Sequence, residues 1–421
     1  MAIAISTTRI SALWSRLNSS FWFVPASMAI LAIAFSFLLI EIDTLIPIDP
    51  TDDLNRFYTF GPEGARTVLS VIASSMITVA SLIFSITMLS LQLASSQYGP
   101  RVLDNFMRDR SNQIVLGTFI ATFLYCLSVL RSVRGIEGSS FVPHLAVAFG
   151  VVLAVASVAV LIYFIHHIAT SIRVETLLAK LVQDGFDTVD RLYPERLGEG
   201  PPKNPVETES ARLPEDFEQY GEQITADTGG YVQNIGVDAL MAIATEHDLI
   251  VRIEAPPGRF VAEGEGVVHA YPNHRISDEI IDDLRGTVVI GQGRTPHQDL
   301  DFAVRRIVEL AQRTLSSGIN DPTTALYCID RLGEIFRRLA SRSIPAPRRF
   351  DQGGQLRVLT EATELEEMTC KAFAAIARYG ISDTDVVDRL AATLAKIQET
   401  YPPAARDAVI QFRKQVLSEG R

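Results

Sequence analysis

The fold class this sequence predicts is an α-helical membrane domain of four transmembrane helices, followed by a cytoplasmic α+β domain in which a split β-α-β-β-α-β sheet precedes a helical bundle. Three observations lead there. Four apolar segments without Asp, Glu, Lys or Arg, each of spanning length, fall within residues 1–170. That region holds nine Lys or Arg and nine Asp or Glu, so the whole formal charge of −11 lies on residues 171–421. Beyond it, short β-type runs alternate with helical ones before the pattern becomes helical from Asp299 onward, interrupted by a short apolar piece at Gln355 to Leu359.

The first span, Phe21 to Ile40, is too long for a signal-peptide core and ends in Glu41-Ile42-Asp43 with no small-residue cleavage pattern, so it reads as a retained anchor. The second, residues 67–94, is the most informative. About 28 residues at 1.5 Å rise give roughly 42 Å, longer than the roughly 30 Å hydrocarbon core. On it Thr67, Ser70, Ser74, Thr78, Ser81 and Ser85 recur at steps of three or four, which sets six hydroxyls on one stripe. Such a stripe serves either as interhelical hydrogen-bonding glue or as the lining of a wet pore. The third span, Ile114 to Leu130, carries a weaker polar face in Thr118, Thr122, Tyr125 and Ser128. The fourth, Val142 to Ile165, has a small-xxx-small run at Ala146, Gly150 and Ala154 that suits close helix packing.

Absence of charge within the spans removes proton relays, voltage sensors and intramembrane carboxylate catalysis from the front rank. Arg9, Arg16, Arg101, Arg108, Arg110, Arg173 and Lys180 fall on one side and Arg56, Arg66, Arg131 and Arg134 on the other, a bias that puts both termini in the cytoplasm of a multi-pass protein of the bacterial inner membrane. The first outer loop is acidic, with Glu41, Asp43, Asp49, Asp52, Asp53 and Glu63; it is either an ordinary solvated loop or a negative mouth shared by several copies.

Residues 171–217 open with an amphipathic helix and pass into a Pro-, Gly- and acid-rich linker. Residues 218–297 form the α+β domain: strands at Tyr231 to Ile235, Leu249 to Ala255, Arg259 to Ala270 (a pair or one bent strand) and Gly286 to Ile290, with helices at Val237 to Glu246 and Ser277 to Leu284. Residues 298–421 form the helical domain, beginning with an α-hairpin around SSGINDP. There Gly318 is expected to take the left-handed position, Asp321 to cap and Pro322 to open the next helix. Acidity argues against nucleic acid as a partner. Cys126, Cys328 and Cys370 show neither metal-ligand spacing nor a disulfide framework.

The blocks SLQLASSQYGPRVL, GYVQNIGVDALM, PPGRFVAEGEGV and RTPHQDLDFAVRRIVELAQRTLSSGINDPTTAL together resemble a bacterial family of predicted membrane proteins, domain of unknown function 2254, over nearly the whole chain. The resemblance implies four N-terminal spans, a cytoplasmic domain and an inner-membrane location, and brings no catalytic residue with it. Where the family pattern has Pro and Phe, this chain has Ser317 and Thr323.

Sharper chemistry is sparse. PPGRFVAEGEGVVHA looks like a lipoyl-type turn, yet no Lys stands between Lys203 and Lys371, so its glycines serve β-turns. Phosphate-loop, complete dinucleotide, HExxH and GxSxG spacings do not occur. His269, His274, His297 and Asp299 lack a metal motif's spacing, so neither metal nor cofactor is expected. Arg294, Thr295, Gln298, Asp299 and Asp301, followed by Asn320 and Asp321, form a polar group that reads as capping and hairpin closure or as an anion or nucleotide pocket. The function expected is a homo-oligomeric channel or transporter for ions or small solutes with a cytoplasmic gate. A membrane-anchored sensor or scaffold is the alternative, and a membrane-bound enzyme the third reading.

Overall fold

The computed structural model describes residues 22–45, 61–98, 109–136, 139–171, 173–193, 213–342, 344–361 and 364–420. Asp49, Asp52, Asp53, Arg101, Arg108 and the acid-rich linker after residue 193 lie outside them. Contacts divide the chain into two compact units, one ending at Thr176 and one running from Leu177 to Arg421.

The first unit is a bundle of α1 (Phe23–Leu45), α2 (Pro62–Tyr98), α3 (Arg110–Ser132) and α4 (His144–Ser171), with the hairpin β1 (Arg134–Ile136) and β2 (Ser139–Phe141) between α3 and α4. Each of the four helices is long and apolar enough to cross a membrane. Small residues set how they meet: Ala65, Ala73 and Ala80 are buried on α2, and Ala146 on α4. A Cβ added at Gly150 would lie 3.3 Å from Leu69 and 3.6 Å from Tyr125, so the small-xxx-small run does bring α4 close to α2 and α3. Val71, Leu82, Phe84, Val152, Val155 and Ile162 point outward, the inversion of a water-soluble bundle.

The second unit begins within α5 (Val174–Leu192), whose Leu177, Leu178, Leu181, Val182 and Val189 are buried on one side. Next come β3 (Glu222–Thr225), β4 (Gly230–Ile235), α6 (Val237–Glu246), β5 (Ile250–Ile253), β6 (Phe260–Val261), β7 (Gly266–Tyr271), α7 (Asp278–Gly286) and β8 (Val288–Gly291). The remainder is α8 (Leu300–Thr314), α9 (Pro322–Ala340), β9 (Arg348–Phe350), β10 (Leu356–Leu359), α10 (Leu365–Gly380), α11 (Thr384–Thr400) and α12 (Pro403–Glu419).

One split β-α-β-β-α-β sheet is not what these strands make. They form a five-stranded sheet of order β3-β7-β5-β10-β9 and a separate three-stranded sheet of order β6-β4-β8. The reason is edge occupancy. A single sheet needs a free edge on β4 or β7, but β7 is flanked by β3 and β5, and β4 by β6 and β8. Of the two forms expected over Arg259 to Ala270, a pair or one bent strand, the structure has two strands, β6 and β7, and they lie in different sheets. The short apolar piece that interrupts the helical run supplies a strand: Val358 of β10 pairs in parallel with Val251 of β5, deep in the core.

The α8–α9 hairpin also departs from expectation. The left-handed residue is Asn320, at φ 50°, and not Gly318. Asn tolerates that region because its short polar side chain can bond locally. As anticipated, Asp321 caps α9, accepting from the Thr324 amide at 3.1 Å, and Pro322 opens the helix.

Candidate functional site

On α2 the side buried in the bundle runs through Ala65, Leu69, Ala73, Met76, Ala80, Ile83, Thr87 and Ser90. At 3.6 residues per turn the face opposite this row is the one that carries Thr67, Ser70, Ser74, Thr78, Ser81 and Ser85, and all six are exposed. Five of them donate to their own helix: Thr67 to the Glu63 carbonyl (2.8 Å), Ser74 to Val71 (3.1 Å), Thr78 to Ser74 (2.8 Å), Ser81 to Ile77 (2.9 Å) and Ser85 to Ser81 (2.9 Å). Within one chain, then, these five do not join α2 to its neighbours. Hydroxyls that do join helices lie elsewhere. Tyr125 donates to the Ala146 carbonyl at 2.7 Å, and Thr122 lies 3.4 Å from Ser157 across α3 and α4.

Glu63, four residues before Thr67 and also exposed, extends the hydroxyl face by a turn and puts a carboxylate at its end. Arg66, the nearest cation, donates to the Val133 carbonyl at 3.0 Å. Asp43, counted in the sequence among the acidic loop residues, is buried instead. Its two carboxylate oxygens accept from the Leu145 and Ala146 amides, both at 3.0 Å, so α1 supplies the cap for α4. A signal for this was present: Phe141-Val142-Pro143 precede His144 and offer no side-chain acceptor, so the orphan amides of α4 had to find one elsewhere.

In the second unit the loop before α8 is a structural junction. Asp299 caps α8 through the Phe302 amide (2.9 Å) and takes two bonds from Arg294, at 2.7 and 2.8 Å. Arg294 also donates to Asp301 at 2.9 Å. Burial opposes the charge on that guanidinium, but the bonds to Asp299 and Asp301 outweigh it and raise its pKa. Gly258, at φ 92°, makes room for the pair: a Cβ there would stand 2.2 Å from Asp299 Oδ2. Gln298 donates to the Ile235 carbonyl and accepts from its amide, tying the loop to β4.

Asn320 and Asp321 do not join this group, because α8 stands between them and Asp299, and its 15 residues span about 22 Å at 1.5 Å per residue. The histidines also stay apart: His269 lies against Phe217, His297 pairs with Arg191 at 2.7 Å, and His274 sits in a surface turn. Among the described residues no three His, Cys, Asp or Glu side chains converge as a metal site.

Comparison with known proteins gives the following. The family model described as predicted membrane protein (DUF2254) matches residues 18–396. An uncharacterized protein of Mycobacterium bovis and another of Mycobacterium tuberculosis are each 31% identical over 417 residues, which is 95% of this chain and 76% of theirs. No solved structure matches.

Proposed function

Since the chain belongs to the predicted membrane protein family DUF2254, we propose that it is an inner-membrane homo-oligomer in which α2 of each copy faces a shared axis, passing an ion or small solute under the control of a cytoplasmic second unit. The observation that carries this reading is the exposed hydroxyl face of α2, directed away from its own bundle. A face of six hydroxyls is wettable where most of the outer surface is aliphatic or aromatic. Its polarity is one-sided as well. With the protons of Thr67, Ser74, Thr78, Ser81 and Ser85 committed to carbonyls of the same helix, their oxygens present lone pairs outward, and Glu63 adds a carboxylate. Such a path favours cations and neutral polar solutes over anions, which need donors.

One observation favours the anchored sensor or scaffold as a second reading. The same intrahelical bonds satisfy the hydroxyls in lipid, so the face survives without water. An anion or nucleotide pocket at Arg294 draws less support, since Nε and Nη2 bond Asp299 and Asp301, two carboxylates that outweigh its single positive charge.

Flux of potassium and of chloride from liposomes holding the purified protein separates the readings. Thr78→Val and Ser81→Leu are expected to lower potassium flux about tenfold, the effect of about 1.4 kcal/mol on a barrier, with assembly intact. If the hydroxyls only support helix packing between copies, the same changes weaken the assembly by about 0.6 kcal/mol each and leave flux alone. No flux from the unaltered protein would move the assignment to sensor or scaffold.

A further inference from the structure

Residue 171 ends the last span and residue 174 begins α5, and the division between the two units falls inside α5, between Thr176 and Leu177. Past that point α5 buries Leu177, Leu178 and Leu181, and from Asp184 onward it is bonded to the second unit. Asp184 accepts from Arg306 of α8 at 2.7 Å, and the Arg306 side chain is only 5% exposed. One turn on, Thr188 donates to the Pro296 carbonyl at 2.7 Å. Asp190 accepts from Arg338 at 2.6 Å and from Arg342 at 2.5 Å, while Arg338 lies over the Phe186 ring, 4.8 Å from its centroid. Arg191 donates to the His297 carbonyl at 2.8 Å. Gly185 permits the approach, since a Cβ there would stand 2.8 Å from Ile335 Cδ1 of α9. An ion pair with one partner buried, such as Arg306 with the half-exposed Asp184, contributes more to register than to stability, and here it sets how α5 lies on α8.

We propose that α5 is the coupling lever of this protein, through which rearrangement of the second unit regulates the conduit. The inference rests on the conduit reading above. A helix clamped by Asp184, Thr188, Asp190 and Arg191 cannot slide or roll on α8, α9 and the loop before α8 without losing those bonds together, so displacement of the unit is delivered to the first turn of α5, at Val174, instead of being absorbed along the helix. The lever also explains why the loop that carries Pro296 and His297 is bonded on its other side to β4: movement in the small sheet reaches α5 through one rigid junction.

The test uses the full chain in liposomes. Two glycines inserted after Arg173 break the lever and leave the clamp in place; two inserted beside Gly354, in the exposed turn between β9 and β10, serve as control. The lever insertion is expected to shift potassium flux at least about fivefold in either direction, the lower end of allosteric coupling, and the control to leave it within about twofold. Amide exchange should show α5 equally protected in both. Should the insertion prevent assembly, Asp184→Asn combined with Asp190→Asn releases the clamp instead and carries the same expectation. Unchanged flux in a conducting protein whose α5 has been uncoupled overturns the lever and leaves the conduit standing. Absence of flux in the unaltered protein overturns the conduit and the lever with it.

Discussion

Asn320 shows at the residue scale how local rules are satisfied by a neighbour of the expected residue. The α8–α9 turn needs one left-handed position, and a glycine at 318 made it the natural candidate, but φ is positive two residues later. Nothing lies within 4 Å of a Cβ at Gly318, so Gly318→Ala is expected to be nearly neutral. Asn320→Val forces a β-branched side chain into the left-handed region and is expected to cost about 1–2 kcal/mol, read as a lower melting temperature of the purified protein; an unchanged melting temperature would remove the argument. Legibility at this scale followed chemical locality. The Asp321 cap and Pro322 start are set within four residues and were readable, as was Asp299 as a cap. The Asp43 cap joins residues about a hundred positions apart in sequence, a distance at which spacing carries no signal, and only the missing acceptor before His144 hinted at it.

Among elements, the four spans were legible because apolar length is a property of the segment alone. Strands fared worse. β3, the four residues EQIT, is too short and polar to stand out, and once it takes one edge of β7 the anticipated single sheet cannot close. The hydroxyl stripe of α2 was visible in the sequence as periodicity, but which way it faces depends on where Ala65, Ala73 and Ala80 find partners. For α5, docking carries a pH dependence of definite sign. Hydrogen bonds from Arg338, joined by Arg342 and working against slight burial, hold the Asp190 carboxyl below the usual carboxylate range. A lowered folded-state pKa contributes stability that is present above the unfolded value of about 4 and lost as pH falls through the folded one. Protection of α5 amides in hydrogen exchange is therefore expected to fall below about pH 4, and Asp190→Asn should abolish that step; a variant with the same acid profile as the parent would point to other carboxylates.

For the whole molecule, the chain passes from one compact unit to the other at Thr176 and Leu177, close to where the net charge changes from zero over residues 1–170 to the −11 carried by the remainder. The proposal that both termini face the cytoplasm rests on an even number of candidate spans and on the Arg distribution. Reporter fusions at Arg421 and at Asp52 are expected to mark opposite compartments, and a cytoplasmic signal at Asp52 would reverse the orientation and dismantle the gating arrangement. What remained hidden at this scale was the tie between the α+β and helical parts of the second unit. Arg357 of β10 donates to Asp248 and Asp351, and Val358 lies against Val251, yet β10 on its own is four residues between helices.

That parallel pairing also sets a schedule for synthesis. β5 leaves the ribosome with one edge bare and waits for about a hundred residues before β10 arrives, which at about 5–20 residues per second is roughly 5–20 s. During that interval the segment IVRI, three apolar residues about Arg252, is a strand with unpaired amides, the kind of edge that recruits a second chain. The nascent protein is therefore most vulnerable between completion of β5 and emergence of β10, and a chaperone that shields strand edges has its work concentrated there.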